Sequence, residues 1–600
     1  MHIDRPTLTV FLAATAALAV GFSRTPLWDE DEARFAAIAR TMVETGDWVV
    51  PVFNDTLAVD KPVLMHWCMA AAMTAFGVNE FAARLPSALA ALVTALALLR
   101  AGRRWCDETT GTIAALAYIG CLLVAIEAHA ATPDAILVAL TSWATLLLAE
   151  PLVSGLATRG PSLPTVSLAR AAAAGGLLGL AVVCKGPIGF VGPVAVLGPW
   201  CWWLACERRL ATCPAAGSSR LRHLARMAGG AILDTLRSLR PITVTLAALA
   251  AAAPWYVAVF LQTDGAWTAG FFFVHNVGRF MAPMEKHGGG ILFHPLTMLV
   301  GFYPWSCFLP LAIVIAVWRV STGTTAAVTR GVSLLWLVWF AVWVGGFSAA
   351  ATKLPNYVLP AYPAAAFLVA MFGVEAARRA AAAPRPAWQH PLWMASGLFW
   401  LAFGGLATAV TVLVATRYGL AGAEPAAVVG LIPILGAIVC WRLATRRPET
   451  ALACFAATGL LYTSLAVGPA GSRIATANTL PTLVRAMQAR DGGTARLGTY
   501  LLSSPNVVFY ARGHVTQCSS NASAEVANFL RSGPDAVLLV SEDRLPDVEP
   551  SLPAGFGIVD RVRPVFRQHD VVAIGRQTET TTTATPTGGA RTASAAGATR

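Results

Sequence analysis

Long runs of apolar residues, separated by short polar segments, recur along the first 470 residues of the chain. An α-helix needs about 20 mostly apolar residues to cross the hydrocarbon core of a bilayer. The pattern therefore predicts a polytopic, all-α membrane domain over residues 1–469. The thirteen predicted spans are 6–24, 82–100, 111–130, 135–150, 171–184, 188–206, 241–262, 296–318, 333–350, 357–377, 391–416, 425–443 and 450–469.

The charge distribution gives these spans a direction. Only 13% of the residues are charged, against about 25% in soluble domains. Loops on one side of the predicted bundle hold roughly twice as many Arg and Lys residues as loops on the other, which is typical of cytoplasmic loops. This asymmetry predicts a cytoplasmic N-terminus and a non-cytoplasmic C-terminal region. It also accounts for the net charge of +12 without a nucleic-acid partner, and no nucleic-acid motif is present.

The first outer loop, 25–81, contains amphipathic helical patterns. Phe35, Ile38 and Met42 share one helical face, and Gly46 follows as a stop signal. The loop is therefore predicted to be structured.

The chain changes character after the last predicted span. Residues 470–576 contain short apolar segments typical of strands, at 497–502, 507–510, 536–540 and 571–574, with a helical stretch at 524–531. This pattern predicts a small α/β domain on the periplasmic side. Residues 577–600 are rich in Thr, Ala and Gly, which predicts a disordered tail.

Lysine is rare and its positions are not scattered. The chain has 44 cationic residues, of which only four are lysines, and all four lie in predicted outer loops. They are Lys61, Lys185, Lys286 and Lys353. Lysine presents a compact point charge and arginine a broad planar fork, so a site beside a phosphate can require the slimmer cation. The alternative is that these lysines are ordinary interfacial anchors.

Several acids lie on the same predicted side. Asp31 and Glu32 belong to a run of acids before the first loop helix, where they are either reactive groups or complements to the helix dipole. Asp134 lies in the outer turn after Pro133 and is either a second functional acid or a helix cap. A carboxylate can orient or deprotonate an acceptor, and cations can stabilise a departing phosphate, so the mixture favours sugar transfer from a phosphate-linked donor.

A divalent metal, Zn²⁺ or Mg²⁺, is a further candidate. His275 is a candidate ligand, because imidazole groups bind such ions, but a carboxylate would have to come from another loop. Asp60 precedes Lys61 and is either a simple partner of that lysine or, by the resemblance given below, a ligand. The alternative for His275 is contact with lipid headgroups in the loop 263–295. No glycine-rich nucleotide-binding loop is evident, so no nucleotide cofactor is predicted.

Eight short motifs occur in an order that resembles a known family and span about residues 5–365. They are Asp31-Glu32-Ala33-Arg34-Phe35, Gly46-Asp47-Trp48-Val49-Val50-Pro51, Lys61-Pro62 with His66-Trp67, Ala131-Thr132-Pro133-Asp134, Lys185-Gly186-Pro187, Asn276-Val277-Gly278-Arg279-Phe280, Tyr303-Pro304-Trp305, and Lys353-Leu354-Pro355-Asn356-Tyr357-Val358-Leu359-Pro360. Together they resemble the membrane glycosyltransferases of the GT-C fold, in the group of the aminoarabinose transferases and the protein O-mannosyltransferase-like enzymes.

The resemblance implies a role for each matching residue. Asp31, with Glu32 beside it, would be the catalytic acid of the first loop, and Asp134 the second acid. Residues that would bind the substrate are Arg34, Lys61, Lys185, Arg279, Lys353 and Tyr357. Asp60 stands where relatives often carry Glu near a proposed metal position, so the ligand side chain at that position is shorter. Ala58 stands where relatives often carry an aromatic residue, so one ring contact of the family is missing.

We therefore expect an inverting transferase in a bacterial inner membrane. It would move a sugar from an undecaprenyl-phosphate donor to a lipid A-type glycolipid or a protein at the periplasmic face. The alternative function is a transporter or flippase of lipid-linked sugars, which predicts paired repeats and ionisable residues inside spans. Glu127 is the clearest such residue, and no repeated halves are evident. A non-catalytic scaffold would leave the lysine positions without an explanation.

Overall fold

The structure of the 600-residue chain is a computed structural model. It describes residues 4–22, 25–28, 30–157, 162–212, 220–278, 288–323, 325–382, 391–417, 424–476, 479–490, 495–502, 504–519, 522–564 and 568–577. These residues belong to two compact units, Met1–Ala477 and Asn478–Arg600.

The first unit is almost entirely helical. Its α-helices are α1 (Arg5–Ala19), α2 (Asp31–Thr45), α3 (Leu64–Phe76), α4 (Glu80–Trp105), α5 (Glu108–Ile119), α6 (Leu122–Ala128), α7 (Asp134–Gly155), α8 (Leu168–Lys185), α9 (Ile188–Thr212), α10 (Arg220–Leu239), α11 (Pro241–Gln262), α12 (Ala266–Ala269), α13 (Phe293–Gly301), α14 (Leu309–Thr322), α15 (Ala327–Ala349), α16 (Tyr362–Ala382), α17 (Pro391–Arg417), α18 (Leu431–Ala444), α19 (Pro448–Leu465) and α20 (Gly471–Thr476).

Short irregular turns and one hairpin connect these helices. The 3₁₀ segments are Trp305–Cys307, Pro355–Ala361 and Glu424–Gly430, and the π-helical segments are Gly270–Gly278 and Ala466–Ala470. The hairpin pairs β1 (Val52–Phe53) with β2 (Thr56–Leu57) in antiparallel fashion.

The predicted membrane-spanning pattern is present in the helices. Within the described chain, ten helices are long and apolar enough to cross a bilayer, and eleven if α5 and α6, which meet at 66°, form one span. Each of these coincides with a predicted span. Two further predicted spans correspond to shorter apolar helices, α1 and α14. The polytopic all-α fold class is confirmed, and the count of thirteen is reached only when α1 and α14 are included.

The spans pack through small residues and aromatic rings. A Cβ on Gly102 of α4 would lie 2.2 Å from the Cα of Gly111 in α5, so only glycine allows this close approach. Trp336 stacks on Phe367 with 4.3 Å between the ring centroids, which joins α15 to α16. These contacts fix the relative positions of the helices that carry the polar residues described below.

The second unit is a small α/β fold, as predicted. Its strands are β3 (Arg496–Tyr500), β4 (Thr516–Cys518), β5 (Ala536–Ser541), β6 (Phe556–Val562) and β7 (Val571–Arg576), and its helices are α21 (Leu480–Arg490), α22 (Pro505–Ala511), α23 (Ala522–Arg531) and α24 (Leu545–Val548), with 3₁₀ turns Glu542–Arg544 and Glu549–Ser551. The sheet order is β4-β3-β5-β7-β6. β3 pairs in parallel with β4 and β5, whereas β7 pairs antiparallel with β5 and β6.

One strand prediction in this unit is wrong. Residues 507–510 lie in α22 and not in a strand. All four side chains are buried, so the segment has no polar positions whose spacing could distinguish a strand from a short helix. Pro505 at the start of the segment is compatible with the first turn of a helix.

Candidate active site

The first outer loop begins with the predicted amphipathic helix, now α2. Phe35, Ile38 and Met42 are buried on one face, and the backbone N–H of Gly46 donates to the carbonyl of Met42. Gly46 ends the helix with φ of +74°, a left-handed conformation that glycine adopts without steric cost. The helix therefore places Asp31 and Glu32 together in its first turn.

Glu32 is buried and forms an ion pair with Arg84 of α4. The Arg84 Nη2 lies 2.8 Å from Glu32 Oε2, and its Nε lies 3.0 Å from Glu32 Oε1. The same carboxylate accepts hydrogen bonds from the backbone N–H groups of Trp28, at 2.8 Å, and Ala131, at 2.6 Å. Arg84 also donates to the backbone carbonyls of Thr25 and Pro26.

This arrangement revises the predicted catalytic role of Glu32. Both carboxylate oxygens accept hydrogen bonds from protein donors, and the side chain is only 4% exposed, so a substrate has no route to it. Glu32 instead connects the first loop to α4 and to the turn at Ala131. It is a positioning residue, and it holds its neighbour Asp31 near the turn that carries Asp134.

Asp31 is accessible to solvent but lies among other charged groups. The protein atoms around it displace water and raise its pKa. Lys61 and Lys185 oppose this shift, whereas Asp60 and Asp134 add to it. Asp31 therefore lies within electrostatic range of two lysines and two carboxylates from different parts of the chain, as expected of a reactive acid.

Asp60 and Lys61 follow the β1–β2 hairpin and lie beside α2. The Arg34 Nη2 lies 3.4 Å from Asp60 Oδ1, and the Lys61 Nζ donates to the carbonyl of Asp60 at 3.3 Å. Burial alone would raise the pKa of Asp60, but the positive charges of Arg34 and Lys61 hold it below the usual value. Arg34 also lies over the ring of Phe53, at 4.9 Å from its centroid. The loop thus presents one aspartate paired with an arginine and one lysine close to Asp31.

A second group of residues comes from α7, α8 and the segment Pro355–Ala361. Lys185, the last residue of α8, forms an ion pair with Asp134, the first residue of α7. The Lys185 Nζ lies 5.3 Å from the ring centroid of Tyr357, within the range of a cation–π interaction. Asn356 donates from Nδ2 to the other Asp134 oxygen at 3.4 Å. The predicted residues Asp134, Lys185 and Tyr357 are therefore brought together.

Lys353 has a different environment from the one predicted. Its ammonium group is buried and donates to the carbonyls of Phe347, Ser348 and Ala350 at 3.2, 2.6 and 2.5 Å. These carbonyls lie at the C-terminus of α15, where the helix dipole favours a cation. An ammonium group has three N–H donors, and all three are engaged. The predicted phosphate contact is therefore replaced by a helix-capping role.

Two predicted residues cannot be placed in this arrangement. Arg279 lies outside the described residues. His275 lies in the π-helical segment Gly270–Gly278 and is half-buried.

The predicted metal ligands do not form a complete site. Among the residues that the structure describes, no three His, Cys, Asp or Glu side chains are close enough to hold a metal ion. Asp60 instead pairs with Arg34. The described side chains therefore do not fit a resident metal, and the predicted Zn²⁺ or Mg²⁺ stays a prediction that rests on resemblance.

Three residues near the site were not assigned a role from the sequence. Arg84 is the counterion of Glu32, and Asn356 binds Asp134. Glu127 accepts a hydrogen bond from the Thr132 hydroxyl at 2.8 Å and interacts electrostatically with Asp134. Asn356 had a signal in the sequence, because it lies inside the motif that also holds Lys353 and Tyr357. Glu127 was recognisable from the sequence only as an ionisable residue inside a predicted span.

Comparisons with known proteins agree with this architecture. Residues 60–216 match the family model for dolichyl-phosphate-mannose-protein mannosyltransferases. The crystal structure of ArnT from Cupriavidus metallidurans bound to undecaprenyl phosphate superposes with a TM-score of 0.73 at 19% identity, covering 94% of this chain and 97% of that one. The fold is therefore the GT-C fold.

Curated relatives show which group of GT-C proteins this chain resembles. The undecaprenyl phosphate-alpha-4-amino-4-deoxy-L-arabinose arabinosyl transferase of Erwinia tasmaniensis is 28% identical over 399 residues, which is 66% of this chain and 62% of that protein. The corresponding transferase 1 of Pseudomonas fluorescens is 32% identical over 340 residues, 56% of this chain and 53% of that protein. The matches thus span roughly half to two thirds of the length of these relatives. They confirm the predicted resemblance to the aminoarabinose transferase and O-mannosyltransferase-like group.

The buried ion pair between Glu32 and Arg84 leads to a stability prediction. Glu32→Gln leaves the Arg84 charge buried without its partner and should lower the free energy of unfolding by about 3–5 kcal/mol. Glu108→Gln is the matched control, because Glu108 is an exposed first-turn acid whose loss should cost about 1 kcal/mol or less. Thermal or denaturant unfolding of the purified protein in detergent measures the change in the free energy of unfolding for both variants. Equal stability of the two variants would contradict the role assigned to Glu32.

Proposed function

We propose that this chain transfers a sugar from a polyprenyl-phosphate donor, of the undecaprenyl type, to an acceptor on the non-cytoplasmic side of a bacterial inner membrane. The observation that carries the proposal is the convergence of Asp31, Lys61, Asp134 and Lys185 at one end of the bundle. They come from the first loop, the start of α7 and the end of α8. A mixture of carboxylates and ammonium groups suits transfer from a phosphate-linked sugar.

The lysines would act on the phosphate. When the bond between the anomeric carbon and the phosphate oxygen breaks, negative charge builds on the leaving polyprenyl phosphate. A fixed cation near that oxygen stabilises the transition state more than the ground state. Lys61 is the better placed of the two, because it is partly exposed beside Asp31, whereas Lys185 is already paired with Asp134.

Asp31 would act on the acceptor. The acceptor oxygen attacks the anomeric carbon opposite the departing phosphate, so a single displacement inverts the configuration. If the acceptor is a hydroxyl group, its proton passes to Asp31 as the new bond forms. If the acceptor is a phosphate of a glycolipid, no proton is transferred and Asp31 orients it. The elevated pKa of Asp31 makes its carboxylate a stronger base than an ordinary aspartate.

Asp134 and Tyr357 would position Lys185. The carboxylate holds the ammonium group by an ion pair, and the ring of Tyr357 lies within cation–π range of the same group. A substrate phosphate that approaches this group would compete with Asp134 for the same cation. Asp134 would therefore hold the Lys185 ammonium group in place until the phosphate of the donor binds it.

The side of the membrane follows from the charge asymmetry of the loops. We propose that the N-terminus is cytoplasmic and that the second unit is periplasmic, which places the proposed active site at the periplasmic face. Lipid carriers supply activated sugars there. The acceptor is proposed to be a lipid A-type glycolipid or a protein, and a protein is the acceptor named in the family model that residues 60–216 match.

The comparisons favour a transferase over a flippase. Curated relatives of this chain are named as undecaprenyl phosphate-alpha-4-amino-4-deoxy-L-arabinose arabinosyl transferases. The ionisable residues of the proposed site lie at helix ends and in loops, and not along a path through the bundle. This arrangement suits a reaction at one surface.

Asp31→Asn tests the proposed base directly. It keeps the shape of the side chain and removes its basicity, so the rate of transfer to a hydroxyl acceptor should fall by about 100-fold or more. The assay measures transfer from an undecaprenyl-phosphate sugar in detergent, with products identified by mass spectrometry. Asp264→Asn is the control, because Asp264 is exposed and has φ of +47°, which asparagine also adopts readily. Full activity of Asp31→Asn would remove Asp31 from the mechanism.

The pH dependence of transfer provides a second test. A base acts only when it is deprotonated, so kcat/KM with a hydroxyl acceptor should rise with pH through the elevated pKa of Asp31. Lys61→Met removes a charge that stabilises the carboxylate, and it should move this rise to higher pH. Asp60→Asn removes a like charge and should move it to lower pH. Shifts of both variants in the same direction, or no shift, would contradict the assignment.

Chelation tests the predicted metal. The proposed steps use side chains only, so transfer should survive exhaustive treatment with EDTA. If activity is lost and is restored by Zn²⁺ or Mg²⁺, a metal takes part in the reaction and the side-chain account is incomplete.

A further inference from the structure

A second polar cluster surrounds Glu150 near the end of α7. The Glu150 Oε2 lies 3.1 Å from the Arg100 Nη2 and 3.0 Å from the Arg170 Nη1. Arg104 contacts the other oxygen, Oε1. Glu150 itself is buried. Three guanidinium groups from α4 and α8 thus converge on one carboxylate, an arrangement that the proposed transfer reaction does not use.

The charges in this cluster do not balance. Three arginines and one glutamate leave a net charge of +2 on the residues that contact one another. The arginine side chains are 44%, 52% and 38% exposed for Arg100, Arg104 and Arg170, whereas the carboxylate is 7% exposed. Guanidinium N–H groups that face outward can therefore bind a second anion while Glu150 holds the arginines together.

The cluster lies at the opposite ends of the helices that form the proposed active site. On α4, Arg84 and Arg100 are separated by 16 residues, or about 24 Å of helix. On α7, Asp134 and Glu150 have the same separation, and on α8 Lys185 and Arg170 are almost as far apart. Since about 30 Å is the thickness of the hydrocarbon core, the cluster lies near the other membrane surface.

An apolar groove extends from the arginines along the bundle. It is a small surface depression lined by side chains of α4 and α7, among them Ala97, Trp143, Leu146 and Leu147. The Trp143 Nε1 donates to the carbonyl of Val93 at 3.1 Å, which fixes the ring across the space between the two helices. A molecule that fits this surface has an anionic head and an apolar chain.

We propose that Arg100, Arg104 and Arg170 bind the phosphate of an anionic phospholipid, with one acyl chain in the groove beside Trp143. A single guanidinium group binds phosphate oxygens through two parallel hydrogen bonds. Basic pockets between membrane helices are a known class of lipid headgroup site. The apolar side chains directly beside the arginines favour a phospholipid over a soluble phosphate. The bound lipid would tie together α4, α7 and α8, whose other ends carry Arg84, Asp134 and Lys185.

The test compares lipid retention by the purified full-length protein. Detergent-solubilised protein is mixed with phosphatidylglycerol or phosphatidylcholine, and bound lipid is counted by native mass spectrometry. The wild type should retain phosphatidylglycerol in preference to phosphatidylcholine. Arg100→Gln with Arg104→Gln should weaken phosphatidylglycerol binding by about fivefold for each guanidinium removed. Arg170 remains in this variant to pair with Glu150.

Two further variants separate a lipid site from general electrostatics and from a purely structural ion-pair network. Arg442→Gln with Arg446→Gln removes the same charge from exposed positions at the end of α18 and should leave the preference unchanged. Glu150→Gln raises the cluster charge and keeps a side-chain oxygen that accepts hydrogen bonds from the arginines, so it should preserve phosphatidylglycerol binding. The proposal is overturned if the control double variant loses as much lipid, if Glu150→Gln abolishes binding, or if the wild type retains phosphatidylglycerol no better than phosphatidylcholine.

Discussion

The buried ion pair between Glu32 and Arg84 is the interaction on which the proposed active site depends. Two charges are stable away from water only when each is paired and its remaining hydrogen-bonding capacity is met, and this pair also binds the backbone of Trp28 and Ala131. One side chain thereby joins the first loop, α4 and the turn before α7. Asp31 directly precedes Glu32, so its position near Asp134 and Lys185 follows from a contact that does not itself react.

The same three helices have a different polar group at each end. At one end Arg84, Asp134 and Lys185 belong to the proposed site, and about 24 Å away Arg100, Glu150 and Arg170 form the arginine cluster. Charged side chains are costly in the middle of a bilayer and are therefore confined to helix ends or to protein interiors. The reactive mixture of acids and lysines at one surface and the arginine-rich surface opposite thus share one scaffold.

Much of this arrangement was predictable from the sequence, because the bilayer imposes helix length and apolar composition on each span. The loop helix was predictable from the apolar residues that share one helical face and from Gly46. The set Asp31, Lys61, Asp134 and Lys185 was predictable from residue type and from position in the outer loops. The environments of Glu32 and Lys353 were not predictable. Asp31 and Glu32 are adjacent acids that the sequence does not distinguish, and only the structure shows that Arg84, 52 residues away, pairs with Glu32. Lys353 resembles Lys185 in its sequence motif, but its ammonium group donates hydrogen bonds to carbonyls at the end of α15.

In the proposed topology, the group Asp31, Lys61, Asp134 and Lys185 and the arginine cluster around Glu150 face opposite sides of the membrane, with the first group outside the cytoplasm. Single cysteines at Asp55, in the exposed hairpin turn near Lys61, and at Thr109, exposed beside the arginine end of α4, report this directly in a chain whose native cysteines are replaced. A thiol reagent that does not cross the membrane should label position 55 in intact cells, and position 109 only after permeabilisation. The opposite pattern, or labelling of both positions from outside, would contradict the account.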